Sequence, residues 1–423
     1  MSERGRARRG LGLLLAGDAV SMTGTSMTTI AVPWFVLTTT GSAERAGVAA
    51  FVSLLPIVIA AIFGGAIVDR VGYRRSSVAC DLASGLMTAA IPVLFLTVGL
   101  GFAPLLALLF CRWLLASPGE AARRALLPAL AGAGAVRMER AAAGFDAVSR
   151  GARMVGVLIA GVLIAVFGAT RLGPLALLFA DATTFFVSAL LIGCGVPRLR
   201  PAAAPGDGHD HDRYLARLRE GMVCLWREPM LRALSLMILV TNMLSAGWAQ
   251  VLLPVYTREV LGDPRALGLL LGLSGAGAMV GALVYGVVGA RLSRWKTFAC
   301  CFFVGTVPAA LVFAAQAPLP MLLGVQALSG LAGGALNPLI GVVEFERIPE
   351  RLRARVMGAG DAGAFAGMPV GGLLAGGLAG SIGLTATMLT VAGIYLAVCL
   401  PPFMGKVWRG LDTRIGLTVQ PSE

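Results

Sequence analysis

Three charged side chains stand inside long apolar runs of this chain: Asp18, Arg112 and Asp181. Asp18 is followed by Ser21, Thr23, Thr25, Ser26, Thr28 and Thr29, a series of hydroxyls suited to a wet cavity. A charge at the centre of a bilayer costs about 2.5–3.5 kcal/mol on insertion scales, so an ionisable residue within a span is a functional candidate by default. A carboxylate at Asp18 suits the uptake and release of a proton as a cavity changes sides. The alternative is a carboxylate near the inner rim, paired with a neighbouring arginine. Arg112 cannot realistically give up its proton, so it acts as counter-charge to an acid, in a functional or a purely structural pair. Asp181, in Phe179-Ala-Asp181-Ala-Thr-Thr-Phe, fits proton carriage and plain packing equally. Asp146 and Asp361 lie in Gly-rich contexts where interhelical hydrogen bonding is the simpler role.

A second constellation is Gly65-Ala-Ile-Val-Asp69-Arg70-Val-Gly72-Tyr73-Arg74-Arg75. An apolar helix runs into an acid and a base, a glycine turns the chain, and two arginines follow. Asp69 can face the positive N-terminal end of a helix that begins near Arg355. Arg70, Arg74 and Arg75 can pair with acids of neighbouring loops. Contacts present in only one conformation bias that conformation, which is what a gating latch requires. Thr25, Trp34, Phe35, Asn242, Trp248, Gln250, Gln326 and Asn337 are candidates to line a substrate cavity, or else to bond a neighbouring helix. No nucleophile–base pair and no Walker pattern is present, so the chain reads as a non-enzyme without ATP hydrolysis. His209 and His211 with Asp207, Asp210 and Asp212 read as a solvated linker in preference to a metal site, and the expected metal complement is none.

The elements that must position these residues follow from composition. The chain is 57% hydrophobic and 13% charged, with a mean hydropathy of +0.82, whereas soluble domains carry about 25% charged residues. A polytopic membrane protein fits. About 20 apolar residues cross the hydrocarbon core, and runs of that order give twelve spans, from 11–38 through 103–124 to 384–404. The net charge of +13 then reflects arginines flanking spans, not a nucleic-acid surface. Outer loops hold only Arg45, Arg171, Arg258 and Arg265, Arg112, Arg150 and Arg153 lie inside spans, and the other lysines and arginines fall on the inner side. That bias puts both termini in the cytoplasm.

A break over 198–230, with Pro201, Pro205 and an amphipathic stretch, separates bundles over 1–197 and 231–405, and 406–423 forms a cytoplasmic tail. A shift of 221 residues brings Pro33 onto Pro254, Gly41 onto Gly262, Gly65 onto Gly286 and Arg70 onto Arg291, the mark of two homologous halves. The same shift places Asp69 on Ala290 and Gly72 on Ser293, so the second copy of the latch lacks its acid and its turn.

With the signature Gly65-x-x-x-Asp69-Arg70-x-Gly72-x-Arg74-Arg75 between its second and third spans, the chain resembles the major facilitator superfamily over essentially its whole length. Ala31-Val32-Pro33-Trp34-Phe35-Val36-Leu37, Thr40-Gly41-Ser42, Ser117-Pro118 with Arg123, Leu127-Pro128 and Val251-Leu252-Leu253-Pro254 resemble the drug efflux branch of macrolide exporters, the enterobactin exporter and Tap-type multidrug pumps. The resemblance implies an all-α fold of twelve transmembrane helices in two pseudo-symmetric six-helix bundles. It implies functional weight at Arg112 in helix 4 and at Asp181 in helix 6. Two departures stand out: Thr25 occupies a place where the branch often has an acid, and the helix 5 pattern is eroded to Gly156-Val157-Leu158-Ile159-Ala160-Gly161.

The function so implied is secondary active efflux, proton-coupled export of amphipathic drugs or antibiotics by alternating access. The proton gradient supplies the energy, with no cofactor. The alternative is a dedicated exporter of an endogenous product such as a siderophore or a self-made antibiotic. A membrane enzyme or a receptor would lack any catalytic constellation here. The expected partners are a small-molecule substrate and membrane lipid, without nucleic acid, for a monomer in the cytoplasmic membrane.

Overall fold

The computed structural model describes residues 2–167, 172–197, 220, 222–348 and 353–412. Within these, the side chains of residues 60–67, 69, 70, 139, 165, 172, 264, 290, 345, 353–355, 358, 359, 361 and 406 are not among those described. The described residues form helices α1 (Glu3–Thr40), α2 (Ala43–Val71), α3 (Tyr73–Thr97), α4 (Phe102–Gly134), α5 (Met138–Phe167), α6 (Leu172–Gly195), α7 (Pro229–Leu261), α8 (Pro264–Val288), α9 (Arg294–Ala314), α10 (Leu319–Arg347), α11 (Arg353–Ile382) and α12 (Leu384–Cys399), with no strand among them. Eleven are long and apolar enough to cross a membrane, and α2, at 29 residues, is the twelfth of spanning length.

An apolar solvent demands that each span satisfy its own backbone, which a helix does. It also inverts the usual placement of side chains. Leu86, Val162, Val166, Leu190, Leu283 and Val287 are exposed, whereas Asp18, Asp81, Arg112, Arg123 and Asp181 are buried. Apolar side chains face outward, and polar groups turn inward to find one another.

The chain divides into two compact units. The first comprises Met1–His209, Ala246–Gly272 and Pro369–Ser381. Here α1 packs on α4, α5 and α6, α3 lies against α4 and α6, and α2 lies along α4. Among those eleven apolar helices, α1 is the most enclosed, with 78% of its apolar window buried; its many hydroxyls therefore sit inside protein. Small residues let backbones meet in this unit. A Cβ on Gly161 of α5 would come within 2.8 Å of the Gly268 Cα on α8, and one on Gly47 of α2 within 2.7 Å of the Gly372 oxygen on α11. Nearby, Arg258 donates to the Leu37 carbonyl at 2.7 Å.

The second unit comprises Asp210–Ser245, Leu273–Met368 and Ile382–Glu423. Its core joins Met230, Leu234 and Met237 of α7 to Phe298 and Phe302 of α9 and Leu336, Leu339 and Val343 of α10, closed by Trp408 and Leu411 of the tail. Trp408 stacks on Phe298 with ring centroids 5.4 Å apart.

Two boundaries differ from those expected. Helix α1 covers 3–40, not 11–38, and α4 continues to Gly134 instead of ending near 124. The charge pair Arg123-Arg124 reads as a helix end, but Arg123 is neutralised inside the bundle and the helix carries on. Arg123 is therefore an interior residue and not part of the inner-side flank. The 221-residue repeat has a structural counterpart: Gly41 ends α1 at φ 70° and Gly262 ends α7 at φ 65°.

Candidate functional site

Four helices of the first unit each contribute to two buried polar layers. In one layer Arg123 of α4 lies between Asp18 of α1 and Asp81 of α3. Its Nε is 2.9 Å from Asp18 Oδ1 and its Nη1 is 2.8 Å from Asp81 Oδ1. The outer oxygen of each carboxylate accepts a hydroxyl proton: Asp18 Oδ2 from Ser149 of α5, and Asp81 Oδ2 from Ser188 of α6 at 2.7 Å. Asp18, Asp81 and Arg123 are each 1% exposed.

In the other layer Arg112 of α4 pairs with Asp181 of α6, Nη2 to Oδ2 at 2.6 Å, both fully buried. Thr28 of α1 donates to the same carboxylate oxygen, and Arg112 Nε donates to Thr88 Oγ1 of α3 at 3.1 Å. The guanidinium also lies over Trp113 and Phe185, 4.3 and 5.4 Å from the ring centroids, a placement that stabilises a desolvated cation. The two layers are seven residues apart on α3 (Asp81, Thr88) and on α6 (Asp181, Ser188), ten apart on α1 (Asp18, Thr28) and eleven on α4 (Arg112, Arg123). At 1.5 Å per residue the separation is about 10–16 Å along the bundle.

Asp18 is thus paired with an arginine and also deeply buried, and Arg112 meets Asp181 as its counter-charge. Asp81, Arg123, Ser149 and Ser188 complete the layers without having been candidates from sequence. Asp81 stands just inside the third apolar run, and the seven-residue spacing of polar residues on α3 and α6, which returns to one helix face, is the signal that could have found it. Asp146 is exposed, while Asp361 lies outside the described side chains.

Among the cavity candidates, Thr25 is half-buried. Trp34 and Phe35 are each 3% exposed, with Phe35 set edge-on against Phe95 at 5.0 Å and Trp34 Nε1 buried without a hydrogen-bond partner among the described residues. Trp248 and Gln250 are half-buried on a π-helical turn, Trp248–Leu252. Such turns widen a helix locally and recur at functional sites; nothing in the composition of α7 announces it. In the second unit Asn242 donates to the Ala364 carbonyl at 3.1 Å, so it bonds α7 to α11. Gln326 is 5% exposed with Oε1 unpartnered, and Asn337 is exposed.

At the latch Gly72 has φ 92°, and it ends α2 and begins α3. A residue with a Cβ is strained there. The Arg74 Nε and Nη2 donate to the Ile192 and Gly193 carbonyls at the end of α6, and among the described residues no acid is bonded to it. The Ile192 carbonyl also accepts from the Val196 N–H at 3.2 Å, and a cation at a helix C-terminal end is favourable. Arg75 is exposed, and Gly65, Asp69 and Arg70 lie outside the described side chains. The second copy recruits a distant acid. Asp412 of the tail accepts from Ser293 Oγ at 2.7 Å and from the Trp295 backbone N–H at 3.1 Å, capping α9. His209, His211, Asp207, Asp210 and Asp212 lie outside the described residues.

A family model described as Major Facilitator Superfamily matches residues 14–264 and 236–415. The chain belongs to the major facilitator superfamily. Within this superfamily it is similar to the multidrug efflux pump Tap of Mycolicibacterium fortuitum, 34% identical over 383 residues that cover 90% of this chain and 91% of that protein. It is 31% identical over 388 residues to the Tap pump of Mycobacterium tuberculosis (strain ATCC 25618 / H37Rv), covering 90% and 89%. A crystal structure of a mutant of the nucleoside transporter NupG superposes with a TM-score of 0.73 over 95% of this chain and 99% of that one, at 11% identity, a likeness of fold alone. As a multi-pass superfamily transporter, the chain carries its two charged layers within membrane-spanning helices.

Proposed function

We propose that this transporter exports amphipathic drugs or antibiotics from the cytoplasm by alternating access, driven by proton entry. The observation that carries the reading is the pair of ionisable layers on α1, α3, α4 and α6. Intramembrane charges are costly, and one useful return on them is a proton site. The similarity to Tap pumps over nearly the full length supports a drug as cargo. Proton entry gains about 2.3 kcal/mol per 100 mV of membrane potential, enough to drive uphill export without ATP.

With both termini cytoplasmic, the glycine contacts Gly161–Gly268 and Gly47–Gly372 and the Arg258–Leu37 bond lie toward the outer end of the helices. Alternating access requires these contacts to part, and backbone contacts without interlocking side chains suit repeated separation. Thr25, Trp248 and Gln250 are the cavity residues best placed for cargo in the first unit, by their partial exposure.

The test is uptake into inside-out membrane vesicles of a panel of fluorescent amphipathic drugs, with and without an imposed proton gradient. Accumulation that needs the gradient and collapses on adding a protonophore is expected. Uptake of every compound at the same level without the gradient would overturn proton-driven export.

A further inference from the structure

We propose that Asp18 and Asp81 share one exchangeable proton across the Arg123 guanidinium, so that this cluster, and not the Asp181–Arg112 pair, is the proton-binding site. The inference rests on the proton-driven reading above and assigns it an address.

Charge balance separates the two layers. Asp181 and Arg112 sum to zero and pair directly at 2.6 Å. Asp18, Asp81 and Arg123 sum to minus one when both acids are ionised, in a site where each is 1% exposed. An uncompensated buried charge is strongly unfavourable, and one proton on either carboxyl removes it. Two carboxylates held on one guanidinium also repel each other, and a proton between them relieves that repulsion.

Among the described residues the surroundings add no second cation. Facing the cluster are Asp18 from α1, Asp81 from α3 with half-buried Cys80 beside it, Arg123 from α4, Ser149 from α5 and Ser188 from α6. Glu120, one turn before Arg123, is turned to Arg124 and Arg153 at 3.0 Å each. Among the described residues no other charged group bonds either carboxylate.

The hydroxyls suit a site that must exist in two states. Each donates to a carboxylate oxygen now, and each can rotate to accept from a protonated carboxyl, because a hydroxyl is both donor and acceptor. Protonation then needs no movement of heavy atoms. The Arg123 nitrogens hold both acids in place whichever one carries the proton. The layer spans α1, α3, α4, α5 and α6, so a change in its charge alters the attraction among five helices of one bundle, which is how proton binding can bias a conformational equilibrium.

The test measures protonation apart from transport. Infrared difference spectra of the purified, reconstituted protein between acid and alkaline pH read a protonated carboxyl band directly. Asp18→Asn and Asp81→Asn each leave a neutral pair with Arg123, so both fold, and each removes the wild-type band. Ser188→Ala keeps the band and moves its midpoint pH, which a purely structural serine would not do. Exposed Asp146→Asn keeps both the band and its midpoint. A band that persists unchanged in Asp81→Asn, or that disappears only in Asp181→Asn, overturns the proposal. Drug uptake indifferent to a proton gradient, with the band lost in Asp18→Asn and Asp81→Asn, would instead remove proton-driven export and leave the proton site standing.

Discussion

Replacing Arg123 with methionine gives the sharpest test of the buried charge network. The guanidinium is the cation of both Asp18 and Asp81, at 2.9 and 2.8 Å, and all three groups are desolvated. Removing one partner of a buried pair costs about 3–5 kcal/mol, because it strands the other charge. Arg123→Met takes the cation from both carboxyl groups, and the one that does not hold the shared proton is left as an unpaired buried charge. One stranded charge puts the expected loss at about 3–5 kcal/mol. Adding Asp18→Asn and Asp81→Asn removes the stranded charge while keeping shape and hydrogen-bonding groups, so the triple variant recovers most of the loss. Thermal unfolding in detergent, followed by loss of monodisperse protein on size exclusion, should rank wild type first, the triple variant second and Arg123→Met last. An Arg123→Met protein as stable as wild type, or a triple variant no better than the single one, would refute the network.

Asp181→Asn removes the carboxylate that faces Arg112 and should cost about 3–5 kcal/mol in the same assay; wild-type stability would mean that the pair is not desolvated. Asp412→Ala should weaken the cap on α9 by about 1 kcal/mol, with Asp412→Asn milder, read as a shift in unfolding temperature; equal effects would show that the contact is not a cap. Trp248→Ala and Gln250→Ala should change which drugs are exported, measured as susceptibility across a panel in an efflux-deficient host. An unaltered profile would take the π turn of α7 out of the substrate path.

Much of this architecture can be read from residue types. Twelve apolar runs, the Gly41–Gly262 correspondence of the 221-residue repeat and the turn at Gly72 each report a local property, and each has a direct structural counterpart. Asp18, Arg112 and Asp181 stand out because they break apolar runs. Asp81 and Arg123 do not stand out, because each sits near the edge of a run, where charge is ordinarily solvated. Only the pairing of α3 with α4 and α6 brings them inside, and sequence periodicity carries no information on which helices pair. Arg74 shows the same limit. Its partners are backbone carbonyls at the end of α6, which every helix possesses and no residue type marks. Asp412 supplies from 122 residues away an acid that the second latch copy lacks at Ala290, a substitution in space that repeat alignment cannot show.

The central claim is that drug and proton move in opposite directions through one transporter. Proteoliposomes that contain the purified protein and an entrapped pH-sensitive dye test it most directly when a drug gradient is imposed across the membrane. Proton movement against the direction of drug flow, absent from protein-free liposomes and lost in Asp18→Asn and Asp81→Asn, is the predicted result. Drug flux through the wild-type protein with no accompanying change in internal pH would contradict it.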